Sequence, residues 1–142
     1  MATDITPILQ AVYDEAVNKG NLDAIDAFFD ASYTDHGPLG DSTGLDAFKA
    51  MLSQWRQAFP DVRSTYSDVI QVGDRAAWRS TMTGTHLGDL PGIPATGKRV
   101  ELHSIDMGTA RDGRAYEHWT AMDRLALLEQ LGVLPTGAGA PA

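Results

Sequence analysis

The strongest constraint in this sequence is a change of hydrophobic period at Pro60. Before that residue apolar side chains recur every three or four positions, the spacing of helices packed by one face. After it they alternate loosely between turn signals, the spacing of strands. Ile5, Ile8, Leu9, Val12 and Ala16 share one helical face, with Thr6 as expected N-cap, Pro7 at the first turn and Gly20 as the stop. A second, short helix restarting at Asn21 would carry Leu22, Ile25, Phe28 and Phe29, and "ASYTDHGPLGDSTG" reads as a loop. A third helix, from about Gly44, places Leu45, Phe48, Leu52, Trp55 and Phe59 at helical spacing and ends before Pro60. Beyond it, Gly73-Asp74 turns a hairpin of residues 62–72 and 75–85. A Gly- and Pro-rich loop, "DLPGIPATGK", leads to a second hairpin turning at Arg111-Asp112-Gly113, and "RLALLEQLG" closes the chain as a helix.

Helices followed by a meander of four long strands is an α+β order. Helices gathered on one face of a strongly curved antiparallel sheet give a cone-shaped α+β barrel enclosing a pocket, a usual place for a small ligand. Residues 1–135 read as one such domain, and residues 136–142 as a tail too small to pack. With 43% hydrophobic residues the chain can bury a core around a cavity. The net charge of -8 argues against nucleic acid and anionic membrane as partners. No basic, apolar leader opens the chain and no apolar run nears the ~18 residues of a membrane span, so the expected location is cytoplasmic. The absence of cysteine removes thiolate nucleophiles and thiolate metal sites. The four histidines lack paired metal-binding spacing, so no metal is expected, and neither a phosphate loop nor a nucleophile elbow is present.

The register of the second hairpin decides which side chains meet. A two-residue turn at Asp112-Gly113 would oppose His118 to Met107. A three-residue loop with Gly113 left-handed would oppose Asp106 to His118 and Ser104 to Thr120. The second register is preferred because it gathers Leu102, Ser104, Asp106, Tyr116, His118 and Thr120 on one face, leaving His103, Ile105, Met107, Glu117 and Trp119 on the other. Asp106 beside His118 is then either a polar pair stitching two strands or a carboxylate raising the basicity of an imidazole in a concave surface. Asp123, where strand gives way to helix, is either an N-cap or a pocket carboxylate. Tyr33 and His36 are expected at the polar rim of the pocket, Trp55 and Trp78 in its wall or in the core, and His86 exposed on its loop. The apolar Met107 and Trp119 on the outer sheet face suggest packing against a second subunit, as a homodimer or higher oligomer.

Four motifs then carry a likeness: Gly92 to Lys98 in "PGIPATGKR", the Asp112-Gly113-Arg114 turn, Glu117-His118-Trp119, and "LLEQLG" from Leu127 to Gly132. Together they resemble the SnoaL-like polyketide cyclases, or ester cyclases, of the cone-shaped nuclear-transport-factor-like superfamily. The resemblance implies cofactor-free intramolecular aldol chemistry on a polyketide ester. In it an aspartate two residues after the histidine of the E-H-W segment removes a carbon-bound proton. Here that position holds Thr120. The expectation is therefore that His118 is the base on a small hydrophobic carbonyl compound. Asp106 would orient it, and Tyr116 or Thr120 would hydrogen-bond the enolate oxygen. Ser104, His36, Tyr33, Trp55 and Asp123 complete the expected substrate contacts. Two other readings stay open. One is a hydrolase or hydratase in which Asp106 and Asp123, with Arg79 or Arg63, activate water. The other is a non-catalytic, dimeric small-molecule binder.

Overall fold

The computed structural model describes residues 4–134; the tail expected at 136–142 lies outside them. Helix α1 (Thr6–Leu9) runs directly into a wider π-helical segment (Gln10–Val17). Thr6 is the first helical residue rather than the cap, and its N–H is taken by Asp4 Oδ1 at 3.0 Å. A single 3₁₀ turn (Leu22–Ile25) follows. Helix α2 (Leu45–Ala58) ends just before Pro60, which has no N–H with which to continue it.

The segment read as a loop is instead a hairpin of β1 (Phe29–Gly37) and β2 (Gly40–Thr43). Then come β3 (Arg63–Val72), β4 (Arg75–Thr85), β5 (Arg99–Arg111), β6 (Arg114–Met122) and helix α3 (Arg124–Leu131). The six strands form one sheet in the order β2-β1-β6-β5-β4-β3, antiparallel except that β1 runs parallel to β6. The expected four-stranded meander is thus extended at its β6 edge, and the second expected helix shrinks to one turn as Phe29 enters the sheet. Among the described residues no helix is long and apolar enough to cross a membrane.

The α+β architecture follows from where each element hides its apolar face. One buried cluster joins Ile8, Leu9, Ile25, Phe29, Phe48 and Trp78. The other closes the far end, where Phe59, Val62, Val100, Leu102, Leu127 and Leu131 meet beneath α3. Helix α3 is capped by Asp123, whose Oδ1 accepts from Ala126 N at 2.9 Å, and it stops at Gly132 in the left-handed region. The capping reading of Asp123 is the one the structure adopts.

The β5–β6 hairpin takes neither expected register. Asp112 (φ 50) and Gly113 (φ 77) are both left-handed, forming a two-residue type I′ turn that opposes Arg111 to Arg114. A bulge then adds one residue to β6: Ala110 faces Ala115, but Thr109 faces Glu117. Beyond it Gly108 opposes His118 and Asp106 opposes Thr120. Relative to the preferred register the strands slide by two residues, which preserves the faces. Ser104, Asp106, His118 and Thr120 do share the concave side. Tyr116 does not, because the bulge turns it outward, where the Arg111 guanidinium lies 5.5 Å from its ring centre.

Candidate active site

Inside the cone lies a cavity of about 180 Å³, somewhat larger than one known to admit benzene (~150 Å³). Tyr13, Phe29, Tyr33, Phe48, Trp55 and Trp78 supply its aromatic wall. Its polar groups converge on His118. Nδ1 of that ring lies 2.7 Å from Asp35 Oδ1, and Nε2 lies 2.9 Å from Asp106 Oδ1. Both aspartates are buried, and the Trp78 ring stacks on the imidazole at 5.6 Å with 17° between planes.

Four strands, β1, β6, β5 and β4, build this group. On β1, Tyr33 and Asp35 alternate with Thr34 and so share the inward face, and the parallel pairing sets Asp35 beside His118. On β5, Asp106 lies diagonally across from His118 and directly across from Thr120, whose hydroxyl donates to Asp106 Oδ1 at 2.9 Å. Ser80 on β4 donates to Asp106 Oδ2 at 2.7 Å and lies 2.8 Å from the Ser104 hydroxyl. Tyr33 donates to Asp35 Oδ1 at 2.9 Å, and Trp78 Nε1 donates to the Tyr13 hydroxyl at 3.0 Å.

Burial by itself would push the His118 pKa down. Hydrogen bonds to Asp106 and Asp35, with the charges those groups carry, outweigh it and raise the pKa to about 9. The two carboxylates thus favour the protonated ring, in which each N–H faces one of them. Burial, followed by the neighbouring aspartate charges, also holds the Tyr33 and Tyr13 hydroxyls protonated as donors.

Of the expected substrate contacts, Thr120, Ser104, Tyr33 and Trp55 line the cavity. His36, Tyr116 and Asp123 do not. His36 lies on β1 but points outward, opposite Tyr33, because adjacent strand residues face opposite sides. There it stacks on Trp119 and contacts Asp41 and Glu117 at 3.0 and 2.8 Å. His86, expected exposed, is fully buried: Thr96 N–H donates to its Nδ1, Phe59 packs on its ring, and burial lowers its pKa. Among the described residues its Nε2 is the one buried side-chain nitrogen or oxygen without a hydrogen-bond partner. Asp35 was missed altogether. The alternation Tyr33-x-Asp35 was its signal, masked by the turn-rich residues around it. No arginine enters the cavity among the described residues: Arg79 is held by Asp68 outside the sheet, and Arg63 is exposed.

Residues 8–131 match the family model described as SnoaL-like polyketide cyclase. The chain is 29% identical over 138 residues to aklanonic acid methyl ester cyclase DnrD of Streptomyces peucetius, covering 93% of this chain and 92% of that enzyme. It is 29% identical over 127 residues to nogalonic acid methyl ester cyclase of Streptomyces nogalater, covering 82% and 90% respectively. Among solved structures, TsrD from Streptomyces laurentii superposes with a TM-score of 0.81 at 31% identity, over 92% of this chain and 98% of that one.

Proposed function

The chain belongs to the SnoaL-like polyketide cyclase family, and from that premise we propose that it closes a ring in a small polyketide ester. The reaction is an intramolecular aldol condensation driven by this chain's own side chains. The observation that carries the reading is the buried Asp35–His118–Asp106 group at the polar end of an otherwise aromatic cavity. Deprotonation next to a carbonyl needs a fixed base and a dry, preorganised surrounding for the enolate. Fixed hydroxyls and a carboxylate–imidazolium pair are suited to both.

Thr120 stands where the resemblance expects an aspartate, and Asp106 is its direct cross-strand partner. Two carboxylates, Asp106 from β5 and Asp35 from β1, therefore reach the same locality from other strands. The chemistry requires the acid/base at a place, not on a particular strand.

Charge supports an ester over a free acid. The carboxylates of Asp35 and Asp106 face the cavity with one imidazole, His118, between them, while no lysine or arginine lines it among the described residues. An anionic substrate would meet uncompensated negative charge there. The hydrolase reading loses support because Asp123 caps α3 and no arginine converges on the cavity. The reading includes a cytoplasmic location and a homodimer through the outer sheet face, where Ile105 is 56% and Met107 37% exposed.

The test is a linear diketo methyl ester able to close one six-membered ring. The expected product is isomeric with the substrate, or lighter by one water after dehydration. A product heavier by one water, or a free acid formed with release of methanol, would sink the aldol reading in favour of a hydratase or hydrolase, and binding without any product would sink it in favour of a binding protein.

A further inference from the structure

The two carboxylates that hold His118 are not equivalent, and the difference singles out one oxygen. Asp106 is fully engaged: Oδ1 accepts from His118 and Thr120, and Oδ2 from Ser80. At Asp35 both donors, His118 and Tyr33, meet Oδ1. Oδ2 accepts no hydrogen bond among the described residues. It is nevertheless not sealed off, since His86 Nε2 is the only buried and unpartnered side-chain nitrogen or oxygen among those residues. Asp35 itself is only 2% exposed and lines the cavity. The space beside Oδ2 exists because position 37 is glycine, where a Cβ would come within 2.6 Å of that oxygen.

We propose that Asp35, through Oδ2, is the group that takes the carbon-bound proton and returns it; this rests on the cyclase reading above. The C–H bond breaks, its electron pair passes into the enolate, and the proton lands on Oδ2. The enolate carbon then attacks the internal ketone, forming one C–C bond and turning the carbonyl π pair into an alkoxide. That alkoxide takes the proton from Oδ2, so Asp35 ends as it began and no external reactant is consumed. His118 keeps both its protons throughout. Its cation, fixed by Asp106, holds Oδ1 and so turns Oδ2 outward as the one unoccupied acceptor. During the step the negative charge moves from Asp35 to the enolate, which leaves the Asp35–His118–Asp106 group neutral.

The test is proton exchange from D₂O into the activated methylene of methyl benzoylacetate, followed by NMR above the uncatalysed rate. Near-ultraviolet circular dichroism establishes that each variant is folded. Asp35→Asn keeps an acceptor for Tyr33 and is expected to slow exchange about 10²-fold or more, the usual worth of a positioned base. Asp106→Asn, which alters the support of His118, Thr120 and Ser80 but leaves Asp35 in place, is expected to slow it no more than about 10-fold. Exchange that survives Asp35→Asn, or falls equally in both variants, would overturn the assignment to Asp35 while leaving the cyclase reading standing. A wild-type protein that does not accelerate exchange would overturn that reading, and this proposal with it.

Discussion

The molecule builds the same constellation twice, once on each side of the β1–β6 pair. Inside, His118 sits between Asp35 and Asp106 and stacks on Trp78 at 17°. Outside, His36 sits between Asp41 and Glu117 and stacks on Trp119, also at 17°. In both, each ring nitrogen meets a different carboxylate, and in both the pKa of the histidine is raised. The two groups even share an origin: Asp35 faces His118 and His36 faces Trp119 in adjacent rungs of the same parallel pairing. What separates them is water. The interior aspartates are 3% exposed at the side chain, against 75% for Asp41 and 41% for Glu117. An arrangement of residue types is therefore not a site; exclusion of solvent gives its charges and hydrogen bonds their strength.

The largest expected effect comes from breaking the interior group. Asp106→Ala removes one carboxylate from a buried cation and strands the Ser80 and Thr120 hydroxyls. Removing one partner of a buried pair costs about 3–5 kcal/mol, and urea denaturation at pH 7 should read a loss of that size. A loss no greater than that of an exterior variant would mean that water reaches the interior group, and the contrast would collapse.

How much of this contrast the sequence carried depends on how local each cause is. The faces of β5 and β6 were legible because alternation survives an even slip: Asp106, His118 and Thr120 were gathered correctly although the register was off by two. The place of the Asp112-Gly113 turn was legible, although the three-residue form was preferred to the two-residue one adopted, and so was the Asp123 cap, because their chemistry lies within four residues. Strand β1 was not. Its partner β6 lies some eighty residues away, and its Gly, Asp, Ser and Pro residues mimic a loop. With β1 unseen, Asp35 had no inward face and His36 no outward one. The bulge at Tyr116 leaves no mark on composition either, so Tyr116 was put on the wrong side. His86 misled for a related reason. Its glycines and prolines read as solvent-exposed, but backbone bonds to Lys98 and Gly97 fold the ring inward.

The next effect is pH dependence, and its sign follows from the interior pKa. His118 has a folded value of about 9, above its ordinary 6.5. The stability it contributes is therefore fully present below about pH 6.5 and lost as pH rises through about 9. The wild-type denaturation midpoint should fall between pH 6.5 and 9.5, and His118→Gln should flatten that fall. His36 is also raised, by Glu117 first and Asp41 second, yet both partners lie in solvent. His36→Gln should leave the slope of the wild type in place. A flattened slope in His36→Gln, with none in His118→Gln, would reverse the roles assigned to the two groups.

The smallest expected effect is on the outside, and its smallness is the sharper half of the comparison. Glu117→Gln retains a hydrogen-bond acceptor for His36 Nε2 but removes the charge. Because the pair is screened by water and salt, the melting temperature at physiological ionic strength should move by less than about 2 °C. Lowering the salt should enlarge the difference, since the Debye length grows from about 8 Å to about 30 Å at 0.01 M. The same dilution should leave the cost of Asp106→Ala unchanged, because mobile ions do not enter the cavity. Of two imidazoles with equivalent partners, only the outer one would then respond to salt, and that difference separates a buried group from its exposed twin without reference to any substrate. If Glu117→Gln instead cost as much as the interior variant at every salt concentration, the outer face would have to be covered in solution, as it would be in a dimer packed over Trp119 and Met107.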